Sequence, residues 1–125
     1  MNVLLDTHLV LWSMLGEMSR ISEKGLAALG SQEFTPIVSA VSIWEAAIKR
    51  GLGKLNVPTD LLRQIEGAGV ELLPVTPRHA DLVASLPLHH RDPFDRILVA
   101  QAMSEGLPLV SDDEALHRYE VEVIW

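Results

Sequence analysis

The feature of this sequence that most constrains the fold is the alternation of short apolar runs with longer segments of helical spacing. The apolar runs predict strands at Val3–Leu5, Thr35–Val41, Val70–Val75, Leu107–Val110 and Val121–Trp125. Strands that alternate with helices favour a mostly parallel sheet covered on both faces. The predicted fold class is therefore α/β, a three-layer α/β/α sandwich.

Start and stop signals place the helices between these strands. Thr76-Pro77 and Asp92-Pro93 each combine a capping residue with proline at the first helical position. Gly51 and Gly106 stand where helices are expected to end. The predicted helices cover residues 8–18, 22–30, 42–50, 58–67, 76–85, 92–106 and 114–119.

Composition is consistent with one folded domain, residues 1–125, of which 48% are hydrophobic. The absence of cysteine excludes disulfides, thiolate metal sites and cysteine nucleophiles. A net charge of −7 argues against charge-driven nucleic-acid binding over the whole surface, but not against a nuclease with clustered carboxylates. No apolar run reaches the ~20 residues that span a bilayer, and no basic leader is apparent. The predicted location is the cytoplasm, with no membrane partner.

Four carboxylates fall where a parallel sheet places its ligands, beyond the carboxyl ends of the strands. Asp6 follows the first strand and Asp113 the fourth, while Glu45 and Asp95 lie in the predicted first turns of two helices. Carboxylates gathered in one cleft repel each other, and Mg²⁺ or Mn²⁺ would relieve that repulsion. Two such ions can activate water for phosphodiester cleavage.

Each acid also has a purely structural explanation. Glu45 ends a Ser-x-x-Glu pattern that fits a capping box. Asp92 and Asp95 fit an N-cap and a first-turn acid, and residues 112–113 fit a turn. Asp6 is the hardest to explain in this way, because an acid that ends an apolar central strand has no obvious structural role.

Four segments carry the most specific pattern in the chain. They are Leu4-Leu5-Asp6-Thr7-His8, Ser42-Ile43-Trp44-Glu45, His90-Arg91-Asp92-Pro93-Phe94-Asp95-Arg96 and Leu109-Val110-Ser111-Asp112-Asp113. In order and spacing they resemble the motifs of PIN-domain proteins, most closely the VapC-type toxins of type II toxin–antitoxin systems. The resemblance spans essentially the whole chain. It implies a PIN-like α/β/α sandwich and an Mg²⁺- or Mn²⁺-dependent endoribonuclease that cleaves RNA with metal-activated water.

The resemblance also implies which acids bind the metal. The family's four acidic positions fall on Asp6, Glu45, Asp95 and Asp113. The first and third are the expected direct ligands, and the other two would bind through water or hold a second ion. Ser111 stands where the family usually has threonine, and the neighbouring Asp112 leaves the choice of the last acid open.

Other side chains near the expected site have possible supporting roles. Asp92 is a cap or an outer-shell ligand. Arg91 and Arg96 flank the site and could hold RNA phosphates. The hydroxyls that could orient carboxylates, or simply cap helices, belong to Thr7, Ser39, Ser42 and Ser111. The basic residues expected on a solvated face are Lys49, Arg50 and Lys54.

The histidines show no metal-binding spacing. His89 and His90 are predicted to lie in a loop, and His8 either lines the cleft or has no role there.

The first predicted helix carries more apolar surface than one buried face needs. Its apolar residues are Leu9, Leu11, Trp12, Met14, Leu15 and Met18. They form either core or a groove for a partner helix. The resemblance implies a cognate antitoxin as partner, and an acidic cleft favours an antitoxin segment with Arg or Lys. The family also implies a homodimer or a toxin–antitoxin hetero-oligomer.

Two other classes compete with the nuclease. A haloacid-dehalogenase phosphatase needs Asp-x-Asp after its first strand and a receiver domain needs an acidic pair there, but Asp6-Thr7-His8 has neither. The remaining alternative is a catalytically silent PIN-like module that binds RNA or protein. The sequence does not define the RNA target, the metal or the antitoxin.

Overall fold

One parallel sheet organises the computed structural model, which describes residues 1–125. Its strands are β1 (Asn2–Leu5), β2 (Thr35–Ser39), β3 (Glu71–Leu73), β4 (Leu109–Val110) and β5 (Val123–Ile124). They lie in the order β3-β2-β1-β4-β5, and every neighbouring pair is parallel. The predicted α/β class is confirmed.

Six α-helices cover this sheet. They are α1 (Thr7–Met14), α2 (Glu23–Gly30), α3 (Ala40–Gly51), α4 (Leu61–Gly67), α5 (Pro77–Leu82) and α6 (Pro93–Glu105). Three short 3-10 helices span Met18–Arg20, Val83–Ser85 and Glu114–Arg118. No helix is long and apolar enough to cross a membrane.

Side chains alternate across β1 and fill two cores. Val3 and Leu5 face one side, where they pack with α1, α2 and α4. Leu4 faces the other side and packs with α6, including Leu98. All four of these residues are buried, so the sheet is the middle of three layers.

Several predicted boundaries are wrong. The first helix ends at Met14 instead of residue 18, and Gly16 then turns the chain at a φ of 74°. The second strand ends at Ser39, whose hydroxyl accepts the Val41 N–H and caps α3. The helix predicted to start at Ser42 therefore starts two residues earlier. The segment predicted as a helix near residue 114 is 3-10, because its residues bond to carbonyls three positions back.

The central position of β1 determines where the site forms. The Asp6 N–H donates to the Val110 carbonyl at 2.9 Å, and the Ser111 N–H donates to the Ile124 carbonyl at 3.1 Å. The segments that follow β1 and β4 therefore leave the sheet side by side, next to the start of α3. The carboxyl edge of the sheet gathers residues that are distant in the sequence.

Candidate metal centre

Asp6 ends β1 and caps α1 with its side chain. Oδ1 accepts the His8 backbone N–H at 2.7 Å, and Oδ2 accepts the Ser111 hydroxyl at 2.6 Å. Burial alone would raise the pKa of this carboxyl, but the hydrogen bonds from His8 and Ser111 outweigh it and lower the pKa. Asp6 is therefore an ionised carboxylate that is almost completely buried, with 2% of its surface exposed.

Asp95 lies in the first turn of α6, which Asp92 begins. Asp92 Oδ1 accepts the N–H groups of Phe94 at 2.8 Å and Asp95 at 3.3 Å, so its structural role as an N-cap is confirmed. Burial and the negative charges of Asp6 and Asp92 raise the pKa of Asp95 to about 7. A divalent cation between these carboxylates would relieve the repulsion.

Asp113 reaches the same cluster from the segment after β4. Its Oδ1 accepts the Ala115 N–H at 3.0 Å, and its Oδ2 lies 2.7 Å from His90 Nε2. The same Nε2 is 3.1 Å from Asp95 Oδ2. Asp112 is exposed and its side chain makes no hydrogen bond, so Asp113 is the acid that the structure joins to Asp95.

Glu45 is buried in the second turn of α3 rather than in the first. Ser39 caps this helix, so the capping-box explanation of Glu45 is wrong, and Ser42 instead accepts the Thr7 hydroxyl at 2.9 Å. Glu45 Oε2 accepts a hydrogen bond from Lys49 Nζ at 2.6 Å. Its Oε1 is buried and has no partner.

An unpartnered, buried carboxylate oxygen is costly unless something binds it. Glu45 lies close enough to Asp95 for its charge to contribute to the raised pKa of that carboxyl. The atoms of the cluster that could bind a metal are almost all carboxylate oxygens, which suit Mg²⁺ or Mn²⁺. The residues present therefore fit a divalent metal.

The hydroxyl side chains near the site either contact the acids or join neighbouring elements of the fold. Ser111 accepts the Asp113 N–H at 3.1 Å while it donates to Asp6, so it joins two of the acids. The Thr7–Ser42 hydrogen bond joins the start of α1 to α3 beneath the acids. Ser39 instead donates to Gln101 on α6 and contacts none of the acids.

A cleft of about 370 Å³ opens beside the acids. The residues that line it are Asp6, His8, Trp12, Arg20, Asp95, Asp112, Asp113 and Glu114. Its only arginine, Arg20, lies 4.6 Å from the centre of the Trp12 ring. His8 Nδ1 is 3.4 Å from Asp6 Oδ1, and this contact raises the pKa of His8.

Arg96, which could hold an RNA phosphate, is not among the residues that line this cleft. Its guanidinium donates to the carbonyls of residues 83, 86, 87 and 90 and to the Tyr119 hydroxyl, at distances from 3.0 to 3.4 Å. These bonds involve both terminal nitrogens of the guanidinium. Arg91 is exposed and makes no hydrogen bond through its side chain.

Sequence reasoning missed three residues around the acids. His90 contacts Asp95 and Asp113, Lys49 contacts Glu45, and Arg20 lines the cleft. The spacing of Lys49, four residues after Glu45 on a helix, was a usable signal. His90 and Arg20 lie in non-helical or 3-10 segments whose path only the tertiary structure defines.

We expect the metal-free protein to lose stability as the pH rises through about 7. The Asp95 pKa is about 7 in the folded protein, against the ordinary value of 3.8 for an aspartate carboxyl. The folded state therefore holds a proton that the unfolded chain releases, and the free energy of unfolding falls as pH rises between these values. Between pH 5 and pH 8 the loss is on the order of 3 kcal/mol. Urea unfolding in EDTA at pH 5 and pH 8 measures it.

Asp95→Asn removes the titrating carboxyl and therefore the loss of stability that it causes. The variant serves as the comparison because the difference between the two proteins isolates Asp95 from all other effects of pH. We expect the variant to be more stable than the wild type at pH 8 by a larger margin than at pH 5. An equal difference at both pH values would contradict the prediction. Adding Mn²⁺ at pH 8 should stabilise the wild type and leave the variant nearly unchanged.

The fold is a parallel α/β/α sandwich, and an acidic cleft lies at the carboxyl edge of its sheet. These two features together define the structural class to which the protein belongs. The PIN domain family model matches residues 3–122, and the chain belongs to that family. No curated protein matches the sequence significantly.

Solved structures share the fold over nearly the whole chain. VapBC2 from Rickettsia felis, solved bound to a promoter DNA fragment, has 13% identity and a TM-score of 0.70 over 98% of this chain and 97% of that chain. FitAcB from Neisseria gonorrhoeae has 20% identity and a TM-score of 0.65, over 98% and 96%. VapBC-5 from Mycobacterium tuberculosis, a member of the VapBC family of toxin–antitoxin systems, has 22% identity and a TM-score of 0.61, over 98% and 96%.

Proposed function

We propose that this protein is an Mg²⁺- or Mn²⁺-dependent endoribonuclease and the VapC-type toxin of a toxin–antitoxin system. The observation that carries the proposal is the group of four acids at the carboxyl edge of a PIN fold. Within it Asp6 is ionised, Asp95 has a raised pKa and Glu45 has an unpartnered oxygen. A catalytically silent relative would have no reason to keep this repulsion.

The metal would be held directly by Asp6 and Asp95, with Glu45 and Asp113 beside it. A bound cation would supply Lewis-acid activation of the phosphodiester and of the attacking water, for a cleavage that leaves a 5′-phosphate and a 3′-hydroxyl. Ser111 fixes the orientation of the Asp6 carboxylate through its 2.6 Å hydrogen bond. Asp95 releases its proton when the cation binds, so metal affinity increases with pH.

Arg20 is the residue that we assign to the RNA phosphate, in place of Arg96. It lines the cleft and packs over Trp12, which restricts where the guanidinium can lie. Glu17 accepts a hydrogen bond from it at 3.1 Å, leaving other donors of the guanidinium for a phosphate.

The antitoxin part of the proposal is supported by the solved structures of similar fold, several of which are described as VapBC or toxin–antitoxin complexes. Leu9, Leu11 and Trp12 are buried in the core. Leu15 and Met18 remain exposed, by 38% and 44%, next to the cleft-lining segment. We therefore assign these two residues to the apolar contact with the antitoxin, and the acidic cleft to its Arg or Lys residues.

The first experiment is cleavage of total cellular RNA by the purified, antitoxin-free protein. We expect discrete fragments with Mg²⁺ or Mn²⁺ and none in EDTA. Single-stranded DNA of matched length tests the preference for RNA, which the family alone supports. A folded protein that binds RNA but cleaves neither polymer with either metal would instead support the silent binding module.

A further inference from the structure

His90 is held more firmly than an ordinary loop residue. Its backbone N–H donates to the Tyr119 hydroxyl at 2.9 Å, and its carbonyl accepts from Arg96 at 3.4 Å. Its ring Nδ1 accepts the Asp92 backbone N–H at 3.0 Å. Only 19% of the side chain is exposed, so the ring has a fixed position between Asp95 and Asp113.

The contact at Nδ1 determines where the ring proton lies. A nitrogen that accepts a backbone N–H must present its lone pair, so the proton of the neutral imidazole is on Nε2. Nε2 lies 2.7 Å from Asp113 Oδ2 and 3.1 Å from Asp95 Oδ2. Nε2–H therefore donates to these carboxylates, most directly to Asp113.

His90 thus does not act as a ligand, although its Nε2 and the carboxylates lie within 4.8 Å of one another, as in a possible three-residue metal site. Coordination through Nε2 would require the proton to move to Nδ1. The Nδ1–H would then face the Asp92 N–H, and both the hydrogen bond to Asp92 and the donation to Asp113 would be lost.

We propose that His90 is a positioning residue, which holds the Asp113 and Asp95 carboxylates together through Nε2–H so that a divalent cation is bound by oxygen atoms alone. This inference rests on the metal site of the proposed function. The inference also predicts a metal selectivity that the four acids alone do not predict. By withholding a nitrogen ligand, His90 makes the site favour oxygen-seeking cations such as Mg²⁺ and Mn²⁺ over cations that prefer imidazole.

The test is calorimetric titration of the metal-free, full-length protein with Mn²⁺. His90→Ala should raise the dissociation constant about 10- to 100-fold, as loss of an outer-shell partner typically does. His90→Gln keeps an N–H donor at about the reach of Nε2 and should bind within a few-fold of the wild type. His89→Ala is the matched control, because His89 is the exposed neighbour that packs on Tyr119 and contacts no acid.

Two spectroscopic measurements separate positioning from coordination. Electron spin-echo spectra of the Mn²⁺-bound protein should show no directly bound nitrogen, and a ¹⁴N coupling that disappears in His90→Ala would overturn the proposal. Long-range ¹H–¹⁵N spectra of the metal-free protein should show Nε2 protonated and Nδ1 unprotonated. The opposite tautomer would also overturn it, as would unchanged Mn²⁺ affinity in His90→Ala.

These outcomes are distinguishable from failure of the proposed function. If the wild type binds no Mn²⁺ at all, the metal site fails and the inference fails with it. If the wild type binds Mn²⁺ but cleaves no RNA, the nuclease proposal fails while the affinities and spectra still decide the role of His90. Near-normal Mn²⁺ affinity in His90→Gln distinguishes a positioning role from a general effect on stability. Thermal unfolding measures the folding of each variant independently.

Discussion

Asp6→Asn should lower metal-dependent RNA cleavage by about 10³-fold or more and leave the fold intact. The substitution removes a carboxylate whose pKa is lowered in the protein, and with it the charge that would hold the cation. A metal contribution of several kcal/mol to the transition state corresponds to at least this factor. The asparagine carbonyl can still accept the His8 N–H, so the cap of α1 is retained.

Asp112→Asn is the matched control, since Asp112 lines the same cleft but is exposed and makes no hydrogen bond through its side chain. We expect its cleavage rate to stay within a few-fold of the wild type. Initial rates on one RNA at saturating Mn²⁺ compare the three proteins. An Asp6→Asn protein that cleaves at the wild-type rate would remove Asp6 from the site, and a large loss in Asp112→Asn would make Asp112 the last acid.

Arg96→Lys should destabilise the protein by about 3 kcal/mol. The guanidinium spans four backbone carbonyls and the Tyr119 hydroxyl, and a single ammonium cannot reach them all. Carbonyls left without a donor in a partly buried loop carry a desolvation penalty. Since this loop also carries His90, we expect weaker Mn²⁺ binding in addition to the lower stability.

Arg91→Lys is the comparison for this substitution, because Arg91 is exposed in the same motif and its side chain makes no hydrogen bond. Its free energy of unfolding should stay within about 0.5 kcal/mol of the wild type. Urea unfolding of both variants and the wild type measures the difference. Equal stability of Arg96→Lys and Arg91→Lys would show that the arginine does not hold the loop.

The strands and helices were predictable because their signals are local. The apolar run Val3–Leu5, the Asp92-Pro93 start of α6 and the Gly106 stop each act within a few residues of chain. The boundary at residues 39–42 was not predictable in the same way. Ser39 and Ser42 are both suitable caps, and Ser42 is used elsewhere because Thr7 donates to it from α1.

The acids of the site could be proposed from the sequence, but their partners could not. A parallel sheet brings the residues after its strands to one edge, so Asp6 and Asp113 were expected to meet. The positions of His90 and Arg96 instead depend on the segment that leads into α6, residues 83–92, and on hydrogen bonds to the Tyr119 hydroxyl. No local pattern encodes such contacts, so the hydrogen bonds that Arg96 donates to this segment were not predictable from the sequence.

The central place of β1 in the sheet has a consequence for the synthesis of the protein. The ribosome makes β1 before β4, so β1 pairs with β4 only once residues 109–110 exist, and Asp6 gains its Ser111 hydrogen bond no earlier. While the residues between Asp6 and Ser111 are being translated, the nascent chain therefore carries Asp6 without the groups that complete its surroundings. The activity that we propose can begin only after the segment from β4 to Asp113 has been translated, and an antitoxin that recognises the finished cleft meets it no earlier.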